Sequence, residues 1–255
     1  MKTRFQVIVA LLAAGLVAPW LIVDQRSLAQ PSAHEQLIRE ARAAYERKSY
    51  EQAIVKATEA IQQNANSWQA FEIRASASRA TGNLDRALAD LSEAIRIANK
   101  NPSLYCQRAF VHYHKASWNL MKSDCDQALQ LDSTDPQAYA YLAIALRGLK
   151  QLDQALVAAN KAIELDSDYA FGYAVRAETH NYMMRFDNVS KDYEHALKLE
   201  RYWWYEIMYA RFLATCHDAK YRNGRLALSL EPVIDLLAVD GSLCGYGHDK
   251  EVVSE

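Results

Sequence analysis

The sequence predicts an all-α protein, a linear array of five helical hairpins followed by an irregular sixth unit. Three observations carry this prediction. The chain repeats itself every 34 residues, without a gap, from residue 34 to residue 203. Within each repeat the recurring apolar residues fall at helical spacing rather than at the two-residue alternation of a strand. Glycine and proline are scarce, 8 and 5 among 255 residues, so long stretches lack the punctuation of turns and strands. Hydrophobic residues make up 51% of the chain, ample for a packed core. The 29 Lys and Arg face 31 Asp and Glu, which leaves none of the basic excess that nucleic-acid binding needs.

Residues 1–29 read as an export signal. Lys2 and Arg4 open it, and an apolar run from Val7 to Val23 is broken only by Gly15 and Pro19. Ser27 and Ala29 supply the small residues that a cleavage before Gln30 requires. The run approaches membrane-spanning length, so an uncleaved anchor is the alternative. Under either reading the body is expected outside the cytoplasm, periplasmic or extracellular, and membrane contact is confined to this segment.

The repeats occupy residues 34–203. Counting His34 as position 1 and restarting at Trp68, Pro102, Pro136 and Ala170, position 8 is Ala41, Ala75, Ala109, Ala143 and Ala177. Position 27 is Ala60, Ala94, Ala128, Ala162 and Ala196, and position 17 is Tyr50, Leu84, Trp118, Leu152 and Phe186. Positions 4, 8 and 11 share one face of a first helix. Positions 17, 20, 24, 27 and 28 do the same on a second. Alanine at positions 8 and 27 lets the two backbones approach closely, and a larger side chain there would overpack. Asn101-Pro102 and Asp135-Pro136 each place a capping side chain before a proline in a first turn, and Ser67 caps the helix at Trp68. Gly82, Asn83 and Gly148 mark turns between paired helices. A single hairpin cannot bury its own apolar face, so stacking on neighbours supplies the core.

The period, the aromatic at position 4 and the small residues at positions 8, 20 and 27 resemble the tetratricopeptide repeat. Position 20 holds Ala53, Ala87 and Ala155, with Met121 and Val189 as departures. Position 7, commonly leucine in that family, is Glu40, Arg74, Arg108, Leu142 and Arg176. The resemblance implies a right-handed superhelix whose concave groove receives peptides or partner proteins. The family's carboxylate clamp needs Lys and Asn at positions 5 and 9 of one repeat. Ile38 with Arg42, or Glu72 with Ser76, does not match it.

Residues 204–231 form a divergent sixth unit. A helix starting in Tyr202-Trp203-Trp204-Tyr205 runs to about His217, and a second covers Arg225 to Leu230. The Ala214-Thr215-Cys216 and Asn223-Gly224 series resembles the terminal repeats of bacterial members of the family. The aromatic cluster is expected to pack this unit onto the fifth repeat. Pro232 should end the helix, and residues 232–255 read as an irregular tail.

Chemistry-bearing motifs are absent. There is no phosphate loop, zinc-protease helix or nucleophile elbow. His112 and His114 lie about 200° apart on one helix and cannot share a metal. The four cysteines, Cys106, Cys125, Cys216 and Cys244, show no CxxC spacing, and a Cys216–Cys244 bridge is one option for an exported chain. Asp90, Asp124 and Asp192 recur at position 23, which reads as a solvated face. Neither catalytic residues, cofactor nor metal is expected.

The expected function is a non-catalytic interaction scaffold of the cell envelope. A membrane-anchored accessory subunit is the alternative, and an enzyme with a helical-repeat body is the more distant one. Positions 2, 5, 6, 9, 12 and 13 of the first helices form a stripe roughly 130° from the packed face, which the resemblance assigns to the groove. On that stripe stand Arg39, Arg42, Arg79, Phe110, Tyr113, His114, Tyr141, Arg147, Phe171 and Tyr182. Exposed arginines and aromatics are the residue types that anchor interfaces. The expected partner segment has apolar anchors and some acidic character.

Overall fold

A computed structural model describes residues 31–230; the expected export signal, the expected irregular tail and Cys244 lie outside the described residues. Hairpin one is α1 (Ala33–Glu46) and α2 (Tyr50–Gln63), and hairpin two is α3 (Trp68–Ala80) and α4 (Leu84–Ile97). Hairpin three is α5 (Pro102–His114) and α6 (Trp118–Leu131), and hairpin four is α7 (Pro136–Gly148) and α8 (Leu152–Leu165). Hairpin five is α9 (Ala170–Tyr182) and α10 (Phe186–Leu199). The sixth unit supplies α11 (Trp203–Thr215) and α12 (Gly224–Leu230). The described residues form no strand.

Local chemistry sets these boundaries. Ser32 Oγ accepts from Glu35 N while Glu35 Oε2 accepts from Ser32 N, a reciprocal cap that starts α1. Ser67, Asn83, Asn101 and Asp135 accept first-turn N–H groups at α3, α4, α5 and α7. Every position-17 residue opens a second helix. Each first helix ends in the same way. The position-15 residue has positive φ, at Lys48, Gly82, Ala116, Lys150 and Met184. The next N–H then reaches back to the position-11 carbonyl at 2.8–2.9 Å, as from Asn83 to Ser78 and from Ser117 to His112.

Four of those five residues are not glycine, and each carries left-handed strain. Met184→Gly should therefore stabilise the protein by about 0.5–1 kcal/mol, and Gly82→Ala should destabilise it by a similar amount. The Gly82 test is clean, because an added Cβ there meets nothing within 4 Å. Opposite shifts in urea midpoint, at unchanged slope, are the expected reading.

The core runs through the stack. All the alanines of positions 8 and 27 are at most 1% exposed, so the two helices of each hairpin meet nearly backbone to backbone. Position 20 is equally buried whether it holds Ala, Met121 or Val189. Cys125 and Tyr193 at position 24 are fully enclosed. Each second helix packs on the first helix of the next hairpin. First helices of successive hairpins also touch, α1 on α3, α5 on α7 and α7 on α9. Second helices make no comparable contact among the described residues, so the ribbon curves with its first helices inward.

The position-23 acids are not a solvated face. Asp90, Asp124 and Asp192 are buried and take two hydrogen bonds each from Arg74, Arg108 and Arg176 at position 7, at 2.6–2.9 Å. The third arm of each guanidinium, Nη1, donates backward to position 25 of the preceding hairpin: Thr58 Oγ1, Ser92 Oγ and Asn160 Oδ1. One arginine thus ties its own two helices to the previous hairpin. Hairpin one reverses the pair, Glu40 with Lys56 at 3.3 Å, and hairpin four replaces it with Leu142 and Ala158. Departure from leucine at position 7 is a charged solution to the same packing problem.

Gly148 is not a turn residue. It ends α7, and its Cβ would stand 2.3 Å from Trp118 Cδ2. The ring of the preceding hairpin occupies the space that a side chain would need.

Candidate functional site

The inward-facing first helices bring together rings from four successive units. Phe110 of α5 and Tyr141 of α7 stack with centroids 5.6 Å apart and planes 11° apart. Phe171 of α9 meets Tyr141 edge-on at 6.0 Å, and Trp204 of α11 follows at 6.0 Å. These residues hold positions 9, 6, 2 and 1 of their units, so the ladder crosses the inner face diagonally. Tyr113 lies parallel to Phe110 at 6.0 Å. At the other end the Arg79 guanidinium sits 4.9 Å from the Phe110 centroid, a cation–π contact.

The ladder separates two connected clefts. The first, about 260 Å³, is lined by Arg42, Glu72, Arg79, Gln107, Phe110 and Gln137, among others. The second, about 300 Å³, is lined by Tyr113, Tyr141, Ile144, Arg147, Phe171 and Trp204, among others. Phe110, Gln137 and Tyr141 belong to both. Charge and amide groups gather in the first cleft. Gln107 donates to Glu72 Oε1 at 2.6 Å, and Arg42 lies 4.0 Å from Glu72. The second is mostly aromatic, and burial pushes the Tyr113 and Tyr169 hydroxyls up in pKa.

Seven of the ten residues singled out from the sequence line these clefts: Arg42, Arg79, Phe110, Tyr113, Tyr141, Arg147 and Phe171. Three do not. Arg39 is exposed and lines neither cleft, and His114 lies edge-on to Phe110 at 4.7 Å. Tyr182 stands at the rim, with the Arg147 guanidinium 5.4 Å and Lys150 Nζ 5.2 Å from its ring. The clefts are also lined by residues the sequence reading passed over. Gln107, Gln137 and Ile144 hold positions 6, 2 and 9 of the same stripe and were legible by position. Tyr169 and Glu200 come from the segments between hairpins, which a stripe on first helices does not cover. The Tyr202–Tyr205 cluster serves both core and cleft: Tyr205 is buried, Trp204 packs against the same core, and Tyr202, Trp204 and Tyr205 all line the second cleft.

Elsewhere the chemistry is quiet. Among the described residues no three His, Cys, Asp or Glu side chains converge to hold a metal ion. His112 and His180 are buried at position 11, with Nε2 3.7 and 3.9 Å from the carboxylates of Asp124 and Asp192. Burial lowers both imidazole pKa values. Cys106, Cys125 and Cys216 are buried free thiols, and burial pushes Cys106 up to about 12, far from a reactive thiolate.

No protein-family model matches the chain. A stretch of 84 residues, 33% of the chain, is 38% identical to human sperm-associated antigen 1. It takes in 9% of that protein, so the chain spans less than a tenth of the length of the curated relative it matches. Among solved structures, YrrB, described as a TPR protein with an unusual peptide-binding site, superposes with a TM-score of 0.53 at 15% identity. That match covers 84% of this chain and 96% of YrrB. The fold is the tetratricopeptide-repeat solenoid. The APC/C hetero-tetramer Cut9–Hcn1 gives a TM-score of 0.69 at 14% identity over 88% of this chain and 45% of that one. At such identities the likeness is one of tetratricopeptide architecture: consecutive hairpins with first helices inward.

Proposed function

We propose that this chain is a non-catalytic scaffold that holds a segment of a partner protein or peptide in its concave groove. The observation that carries the reading is the aromatic ladder from Phe110 to Trp204, flanked by Arg42, Arg79 and Arg147 on the inner face. Rigid rings and arginines at the centre of a concave surface are the usual anchors of an interface. The peptide-binding site named for YrrB supports the same reading. An enzyme would need a convergent set of polar groups with matched pKa values, and each cleft holds a single carboxylate, Glu72 or Glu200, among rings, amides and arginines.

The test uses purified full-length protein against a displayed library of random dodecapeptides. Selected binders should lose about tenfold or more in affinity on Phe171→Ala combined with Arg79→Glu. They should be unaffected by Val157→Ala on the exposed outer side, where Val157 is 69% exposed. Binders indifferent to both groove changes would place the interface elsewhere. Tyr141 is a poorer probe, because at 9% exposure its loss mixes packing with binding.

The N-terminal sequence supports action outside the cytoplasm. Exported protein should begin at Gln30 by intact mass, and persistence of residues 1–29 in membrane fractions would favour the anchored accessory subunit. Among the described residues no helix is long and apolar enough to cross a membrane.

A further inference from the structure

We infer that the second cleft selects a carboxylate next to an aromatic or bulky apolar side chain, with Arg147 as the group that meets the carboxylate. This rests on the groove reading above and goes further by naming the ligand chemistry.

Two donors at this cleft have no acceptor. Arg147 Nη1 and Trp204 Nε1 are enclosed, and neither has a hydrogen-bond partner. An enclosed N–H without an acceptor is costly, and native proteins rarely keep one without a reason. The other such side-chain atoms among the described residues are Ser78 Oγ, His112 Nδ1 and His180 Nδ1. All three sit at position 11, inside hairpins. Only Arg147 and Trp204 share a cleft, and they do so at its walls.

Among the described residues Arg147 is the one arginine with an enclosed nitrogen that lacks a hydrogen-bond partner; Arg79, which also has no ion pair, rests over Phe110. Arg74, Arg108 and Arg176 each hold an aspartate, and Arg42 lies beside Glu72. Arg147 forms no ion pair among the described residues; its guanidinium rests over Tyr182, 5.4 Å from the centroid. Nearby Glu178 is already engaged, accepting from the Tyr193 hydroxyl and from Arg211 Nη2 at 3.4 Å. A full positive charge therefore stands at an aromatic cleft with no carboxylate paired to it among the described residues. A carboxylate from the ligand neutralises it by taking the open donor of Arg147, which already lines the cleft.

The cleft has two chemically different ends. Arg147 and Gln137 lie ten residues apart on α7, about 15 Å along its axis. Glu200 lies toward the Gln137 end, since the Tyr205 hydroxyl donates to it at 3.4 Å and Tyr205 and Asp135 both act on the Tyr169 hydroxyl; Trp204 lines the same cleft. Glu200 repels a second acid there, so an anionic group is directed to Arg147, while Trp204 Nε1 is suited to a neutral carbonyl. Between them Phe110, Tyr141, Ile144 and Phe171 receive an apolar side chain. A span of about 15 Å fits four or five extended residues.

The carboxylate could come from an Asp or Glu side chain or from a chain terminus, and four fluorescein-labelled peptides separate the sources. One pair, GSAFADA and GSAFANA, both amidated, differs in the side-chain acid. The other, GSAFA with a free carboxylate or an amide, differs in the terminal acid. Fluorescence polarisation with the full-length protein should show at least one acid form binding about tenfold tighter than its neutral mate. Arg147→Gln should abolish that preference, and Trp204→Phe should weaken acid and neutral forms alike. Equal affinity of acid and neutral mates, or a preference that survives Arg147→Gln, overturns the inference. So does failure of all four peptides to bind. If the peptides bind without preference and Phe171→Ala abolishes binding, the groove reading stands and the carboxylate assignment alone falls.

Discussion

Asp124→Ala should destabilise the protein by about 3 kcal/mol, the largest effect expected of any single polar substitution here. The carboxylate is 4% exposed and takes both Nε and Nη2 of Arg108. Removing it strands a guanidinium that cannot fully rehydrate, because the Arg108 side chain is only 24% exposed. The partial exposure puts the cost at the low end of the range for breaking a buried pair, about 3–5 kcal/mol. A guanidinium is not deprotonated in proteins, so the cation cannot escape by losing its proton. The protein contains its own control: hairpin four packs Leu142 and Ala158 at the equivalent positions. Arg108→Leu with Asp124→Ala should therefore recover most of the loss, ending within about 1 kcal/mol of wild type, since an apolar pair of matched shape roughly equals a buried ion pair. Urea midpoints of the three variants decide it. A double variant as unstable as Asp124→Ala would mean the Ser92 link, not the charge pair, holds hairpins two and three together.

That outcome bears on what the charges are for. Hydrophobic packing alone closes hairpin four, so the ion pairs are not a general requirement for stability. Their added feature is the third arm, which reaches Thr58, Ser92 or Asn160 one hairpin back. A planar guanidinium with donors fixed in direction holds two helices and a neighbour at set angles, where leucine tolerates sliding. The curvature that brings Phe110, Tyr141, Phe171 and Trp204 into one ladder depends on those angles.

What the sequence disclosed and what it hid follow from the same period. The helices, the buried alanines and the inward stripe were legible because each depends on spacing within one hairpin. Position 23 was misread because periodic acids look solvated when their partners are sought along the same helix. The partner lies sixteen residues back, on the paired helix, and the arginines there were seen as departures from leucine rather than as its charged equivalent. The Ser92 contact with Arg108 is hidden for the same reason, since it crosses between hairpins. Trp204 was taken as core because an aromatic run says nothing about which ring faces the cleft. Only the geometry between hairpins shows that Tyr202, Trp204 and Tyr205 also line the cleft.

The same blindness to neighbours applies to Gly148, and the last prediction turns on it. Position 13 of hairpins three and five is His114 and Tyr182, and position 17 of the hairpins before them is leucine, Leu84 and Leu152. Hairpin three instead carries Trp118 at position 17, and position 13 of hairpin four is Gly148. The large ring and the missing side chain are one feature. A Cβ on Gly148 would stand 2.3 Å from Cδ2 and 2.7 Å from Cε2 and Cγ of Trp118, atoms in the rigid body of the indole. Gly148→Ala should cost about 1–3 kcal/mol through overpacking, despite the modest gain that alanine brings to a helix. Trp118→Leu alone should also destabilise, by leaving the indole's space unfilled. Together they restore a pairing closer to that of the neighbouring hairpins, so the double variant should be more stable than the sum of the single losses predicts, with a coupling of about 1 kcal/mol or more. Additive losses would show that the indole can swing aside, and that glycine at this position answers to something other than the ring above it.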